Sequence, residues 1–91
     1  MDFEWDDDKA DANFAKHGFS FLEASSVFDD DLSLTFPDPD HSVDEERLVI
    51  IGHSQRGRLL FVSHTDRHGV LRIIRAREVT RRERKVYENS R

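Results

Sequence analysis

The second half of the chain carries cations dense enough to hold a polyanion. Arg72, Arg75 and Arg77 fall in one short run, RIIRAR, and Arg81, Arg82, Arg84 and Lys85 follow almost at once. Arg47 and Arg58 open two earlier apolar runs, to which His53 and His64 also belong. The planar guanidinium fork grips phosphate oxygens at two points and stays protonated at any relevant pH. Histidine is the side chain suited to carry a proton near neutrality. Together these groups suit cleavage of a phosphodiester without a metal or other cofactor. In RNA the 2′-hydroxyl attacks its own phosphate, so a protein need only orient it, move protons and stabilise the developing charge. Each arginine taken singly reads equally well as a surface charge, so the residues alone support an anion-binding domain.

Other chemistries find no support. There are no cysteines, hence no disulfide framework and no thiolate metal site. The five histidines are His17, His41, His53, His64 and His68, and they show no metal-ligand spacing. His64 and His68 flank a turn, and Asp29 to Asp31 lacks the alternation and glycine of a calcium loop. No nucleophile elbow or phosphate-cradling glycine loop is present. No apolar run approaches the roughly 18 residues of a membrane span. The acidic start, Asp2 to Asp8, is the opposite of a signal peptide's basic one. The chain therefore reads as soluble and cytoplasmic, with no membrane partner.

The net charge of −5 conceals a sharp split. Residues 1–46 hold 15 acids against 2 lysines, a charge of −13, and residues 47–91 hold 12 Lys/Arg against 4 acids, +8. Such asymmetry fits a surface that faces a polyanion or an acidic partner, or two halves that pair across the fold.

Local signals supply the elements that must position these groups. Phe3 to Asp6 reads as an extended arm or a short strand, a fifth one at the start, and a helix is expected over Asp7 to His17. Asp6 or Asp7 caps it, and Gly18 sits where a left-handed residue ends helices. Ser20 caps a second helix, with Glu23 at capping-box spacing. Leu32 to Phe36 reads as a strand and Pro37 to Glu45 as a loop. Arg47 to Ser54, Arg58 to Thr65 and Val70 to Arg77 read as three strands joined by tight turns, an antiparallel meander. These runs are apolar on both parities, so helices are expected on both faces. Thr80 with Glu83 caps a terminal helix. Trp5, Phe14, Phe21 and Phe28 are the expected core aromatics. The predicted fold is α+β: two N-terminal helices, a meander of about four strands and a C-terminal helix, with residues 1–91 as one domain.

If the two hairpins close symmetrically about Arg56-Gly57 and Arg67-His68, residue 53 faces 60 and 75, 51 faces 62 and 73, and 49 faces 64 and 71. One face then carries His53, Arg58, Arg75 and Arg77, with His64 farther along and Arg81 beyond. Arg72 falls on the other parity. It joins the same pocket only at a bulge or strand end.

Over nearly its whole length the chain resembles the BrnT family of toxins from type II toxin–antitoxin pairs. The resemblance rests on FEWDDDKADANFAKHGFSFLEASSVFDD, on EERLVIIGHSQRGRLLFVSHT and on RIIRAREVTRRERKVYE. Phe-Glu-Trp-Asp followed by Lys9, Asn13 and Lys16-His17-Gly18 is its most specific part. The resemblance implies a RelE-like fold and an endoribonuclease that cleaves RNA without a cofactor and so arrests growth. It also implies silencing by a small BrnA-like antitoxin, with operator DNA bound only through the antitoxin complex. Lys16, His17, Glu46, Arg47, Arg72, Arg77, Glu83 and Tyr87 match the family pattern. Lys16, His17, Glu46, Arg72 and Arg77 are the catalytic candidates. Arg47, His53, Arg58, His64, Arg75, Arg81 and Tyr87 are the RNA-binding ones. One departure is Arg75, where the family commonly has a small serine. The alternative reading is a degenerate toxin, a non-catalytic module that binds nucleic acid or antitoxin.

Overall fold

The computed structural model describes residues 1–38 and 46–90. Its elements are β1 (Asp2–Glu4), α1 (Asp7–His17), α2 (Phe21–Ser25), a 3-10 turn (Ser26–Asp29), β2 (Leu34–Pro37), β3 (Leu48–His53), β4 (Leu59–Arg67), β5 (Val70–Glu78) and α3 (Arg81–Asn89). Most of the loop expected over 37–45, with His41, lies outside the described residues.

Each helix starts where a side chain satisfies orphan amides. Asp6 accepts from the Lys9 amide, Ser20 from Glu23 and Thr80 from Glu83. At α3 the reciprocal bond also forms, since the Glu83 carboxylate accepts from the Thr80 amide at 2.8 Å. The capping box expected at Ser20 does not close. The carboxylate of Glu23 turns instead to Arg58 and to the Ser54 hydroxyl, because a charged fork is the stronger partner. Gly18 ends α1 at φ 77° and donates to the Phe14 carbonyl.

The strands form one mixed sheet in the order β1-β5-β4-β3-β2. The meander is antiparallel as expected, and the N-terminal arm adds a fifth strand, β1, parallel to β5. One face packs α1, α2 and the 3-10 turn onto Ile50, Leu60, Val62, Ile73 and Ala76. The other gathers Val49, Ile51, Leu59 and Phe61 under Tyr87 of α3. Apolar side chains on both parities thus bury on both sides.

The register differs from the symmetric expectation. Ser54 and Arg58 close the first hairpin around a three-residue turn with Gly57 at φ 78°, so His53 pairs Leu59 and Ile51 pairs Phe61. The second turn is centred on His68 and Gly69, both at positive φ, so Arg67 pairs Val70. A bulge between Ser63 and His64 then leaves Ile74 as an extra residue, with Ser63 opposite Arg75 and His64 opposite Ile73. Ile73 and Ala76 therefore share one core, and Arg72, Arg75 and Arg77 share the opposite face. The bulge removes the parity conflict that the symmetric register created.

Phe21 is buried, and Trp5 and Phe28 pack against its cluster, but Phe14 is 57% exposed. The correction has a simple cause. α1 lies against β5 beyond the stretch that pairs with β1, with Asn13 turned inward, and Phe14 sits about 100° further round the helix.

Candidate functional site

Where α1 meets the sheet, a cavity of about 320 Å³ opens. α1 contributes Lys9, Asn13, Lys16 and His17, one turn apart along a single stripe. The sheet contributes Arg47 at the entry to β3, Ser63 of β4, and Ile74 and Arg75 of β5. Four Lys/Arg side chains and a histidine thus face one space, and no carboxylate lines it among the described residues. On a chain of net charge −5, only such local grouping makes a field that attracts an anion.

Asn13 fixes the geometry. Its Nδ2 donates to the carbonyls of Ala76 (2.9 Å) and Phe19 (3.1 Å), and its Oδ1 accepts from the Ala76 amide (3.1 Å). The carboxamide therefore occupies the edge of β5 as a further strand would. It locks the helix bearing Lys16 and His17 against the strand bearing Arg75.

The other expected site residues lie elsewhere. Arg77 makes a two-point pair with Glu83 at 2.9 and 3.0 Å and lies over the Phe61 ring at 3.8 Å. Burial opposes ionisation of Glu83, but its bonds from Arg77 and Thr80 hold it below the ordinary carboxylate range. Arg72 faces Glu4 at 3.6 Å. Arg58 lies over Phe19 and pairs with Glu23, which is held below its ordinary value chiefly by that bond. Glu46 lines a separate pocket with Leu48 and Asp66. Arg81 is exposed in the first turn of α3, outside the groove.

His53 belongs to a polar knot at the far end of β3. Its Nδ1 lies 3.1 Å from the Tyr87 hydroxyl, which donates to Asp30 at 2.7 Å. Burial opposes the Asp30 charge, but the His53 amide, the Tyr87 hydroxyl and the Leu32 amide together lower its pKa. Tyr87 is buried and anchors α3, so its hydroxyl is not offered to RNA. His64 is likewise closed to RNA. It is 2% exposed, edge-on to Phe28, with Nδ1 on the Val62 carbonyl.

Of the expected residues, the groove thus brings together Lys16, His17, Arg47 and Arg75. Lys9, Asn13, Ser63 and Ile74 were not anticipated there. The spacing of Lys9, Asn13 and Lys16 along α1 was the available signal.

His64 makes a pH-dependent prediction. Burial pushes its pKa below the ordinary value, outweighing the Val62 bond and Asp66. As pH falls below about 6.5 the unfolded chain takes up this proton while the fold resists it, so stability declines. Urea unfolding between pH 7.5 and 5.5 should show this decline, and His64→Gln should flatten it. An equal slope in that variant would discard His64 as the cause.

Among the described residues no group of three or more His, Cys, Asp or Glu is arranged to hold a metal, and no helix is long and apolar enough to cross a membrane. Fold and groove together define a small α+β domain with a cation-lined groove at a helix–sheet junction. The family model described as "Ribonuclease toxin, BrnT, of type II toxin-antitoxin system" matches residues 5–83, and the chain belongs to that family. The crystal structure of the Brucella abortus ribonuclease toxin BrnT has a similar fold, with a TM-score of 0.69 at 24% identity. The match covers 89% of this chain and 99% of that one. Among curated proteins, none matches the sequence significantly.

Proposed function

We propose that the chain is a cytoplasmic endoribonuclease toxin that cleaves RNA without a metal, in the groove between α1 and the sheet. The observation that carries this reading is the gathering of Lys9, Lys16, His17, Arg47 and Arg75 around one space. Arg47 grips the non-bridging oxygens of the scissile phosphate, where charge grows in the transition state, and Arg75 holds an adjoining phosphate of the same strand. His17 accepts the proton of the 2′-hydroxyl as the O2′–P bond forms. Lys16 supplies a proton to the departing 5′-oxygen, and Lys9 neutralises a neighbouring phosphate. Products are a 2′,3′-cyclic phosphate and a 5′-hydroxyl. Arg77 acts by positioning, through its pair with Glu83. A BrnA-like antitoxin silences the enzyme, and operator DNA is met only through that complex.

The purified chain, mixed with RNA either free or on ribosomes in excess chelator, should yield cyclic-phosphate ends. Loss of activity on chelation, or no cleavage of any RNA, sinks the reading. Arg75→Ser restores the residue common in the family. It should preserve kcat but raise KM, and lower the salt slope of RNA binding by about one. A collapse of kcat would make Arg75 catalytic rather than a grip.

A further inference from the structure

A second groove lies on the other side of α1. Its floor is Trp5 edge-on to Phe21 at 6.1 Å, and its walls are Ala10, Phe14 and Leu22. The cavity is about 260 Å³, yet Phe14 is 57% and Leu22 67% exposed. Two large apolar side chains standing together in water at the mouth of an aromatic-floored groove mark an interaction surface. Asp7 and Asp11 line the same groove, and among the described residues no lysine, arginine or histidine does.

The charge of this rim selects the occupant. Nucleic acid and anionic lipid are repelled by Asp7 and Asp11. An amphipathic helix with apolar residues on one stripe and Lys/Arg beside them satisfies both the groove and its rim. We infer that this groove docks a basic amphipathic helix of the antitoxin partner. The partner's identity rests on the toxin–antitoxin reading above, whereas the chemistry it must present follows from the groove.

α1 therefore carries two opposed functions. The stripe Lys9, Asn13, Lys16 and His17 faces the anion groove, and the stripe Asp7, Asp11 and Phe14 faces the docking groove. A helix seated on the second stripe leaves the first open. Blocking the active groove then falls to another part of the partner, reaching around α1.

The test uses the whole chain and a purified BrnA-like antitoxin. Phe14→Asp with Leu22→Asp should weaken binding by roughly tenfold or more, while Phe14→Leu should bind like the parent. Asp7→Lys with Asp11→Lys should weaken binding and reduce its dependence on salt. All these positions are exposed, and unchanged melting and unchanged RNA cleavage report that each variant is folded. Undiminished antitoxin binding by the Phe14→Asp, Leu22→Asp pair overturns the docking site while leaving the nuclease reading intact. Self-association of the parent that this pair abolishes assigns the groove to a second copy and also overturns it. A parent chain that neither cleaves RNA nor binds the antitoxin removes the functional reading and the occupant together.

Discussion

Replacing Arg47 by alanine is expected to lower RNA cleavage by ~10²–10³-fold, with the melting temperature nearly unchanged, the cost typical of losing one preorganised donor to a developing oxyanion. The two halves of this expectation have separate causes. The Arg47 side chain lines the groove on the sheet wall, opposite Lys16 and His17, and among the described residues no salt bridge commits it elsewhere. Its backbone carbonyl still accepts from the Asp38 amide at 2.9 Å whatever the side chain, so the entry to β3 is kept. The contrasting variants are Arg58→Ala and Arg77→Ala. Each strands a carboxylate, Glu23 or Glu83, that the fold holds ionised, so each should lose stability at neutral pH. Single-turnover cleavage beside thermal unfolding separates the two classes. If Arg47→Ala cleaves like the parent while a folded Arg77→Ala is dead, the reaction belongs over Phe61 and not in this groove.

Asn13→Leu is expected to cost on the order of 3 kcal/mol and to lower Tm by roughly 10–20 °C in a domain of this size. The variant keeps the branched shape and heavy-atom count of the side chain and removes three buried hydrogen bonds. The amide and carbonyl of Ala76 and the carbonyl of Phe19 then lose their partner where water has little access. Asn13→Asp should fall between, since it retains an acceptor for the Ala76 amide but no donors. Cleavage measured well below the new Tm should also drop, because the carboxamide ties Lys16 and His17 to the strand of Arg75. Faster hydrogen exchange at Ala76 would locate the damage at the β5 edge. An unchanged Tm would show that the edge is satisfied without Asn13.

Much of the fold was legible because its signals are local. Asp6, Gly18, Ser20 and the Thr80–Glu83 box each act within one helical turn, and all bound the helices as expected. The glycine-bearing turns placed three strands and their antiparallel order. Even so, a three-residue turn at Gly57 and a turn centred one residue late at Gly69 moved every cross-strand neighbour. Strand pairing has a period of two, so a single residue changes which side chains meet.

The candidate site was legible in part for the same reason. Lys16, His17 and Arg47 stood out by family pattern, and Arg75 by charge. What could not be read was which arginines the fold would commit elsewhere. Arg58 and Glu23 are 35 residues apart, and Tyr87 and Asp30 are 57 apart. Such pairs exist only once the sheet has brought distant segments together.

The arginine-rich second half therefore divides in two. By itself the sequence determined the α+β elements, the opposed charges of the two halves and the family. Those depend on capping, turn and composition, which act over a few residues or on the chain as a whole. The tertiary structure decided that the cation-lined groove takes Lys9, Lys16 and His17 from the acidic half and Arg47 and Arg75 from the basic half. It also decided that Arg58 and Arg77 brace the fold. The bulge at Ser63 and the edge bond of Asn13 made that division, because register and long-range pairing are settled by packing.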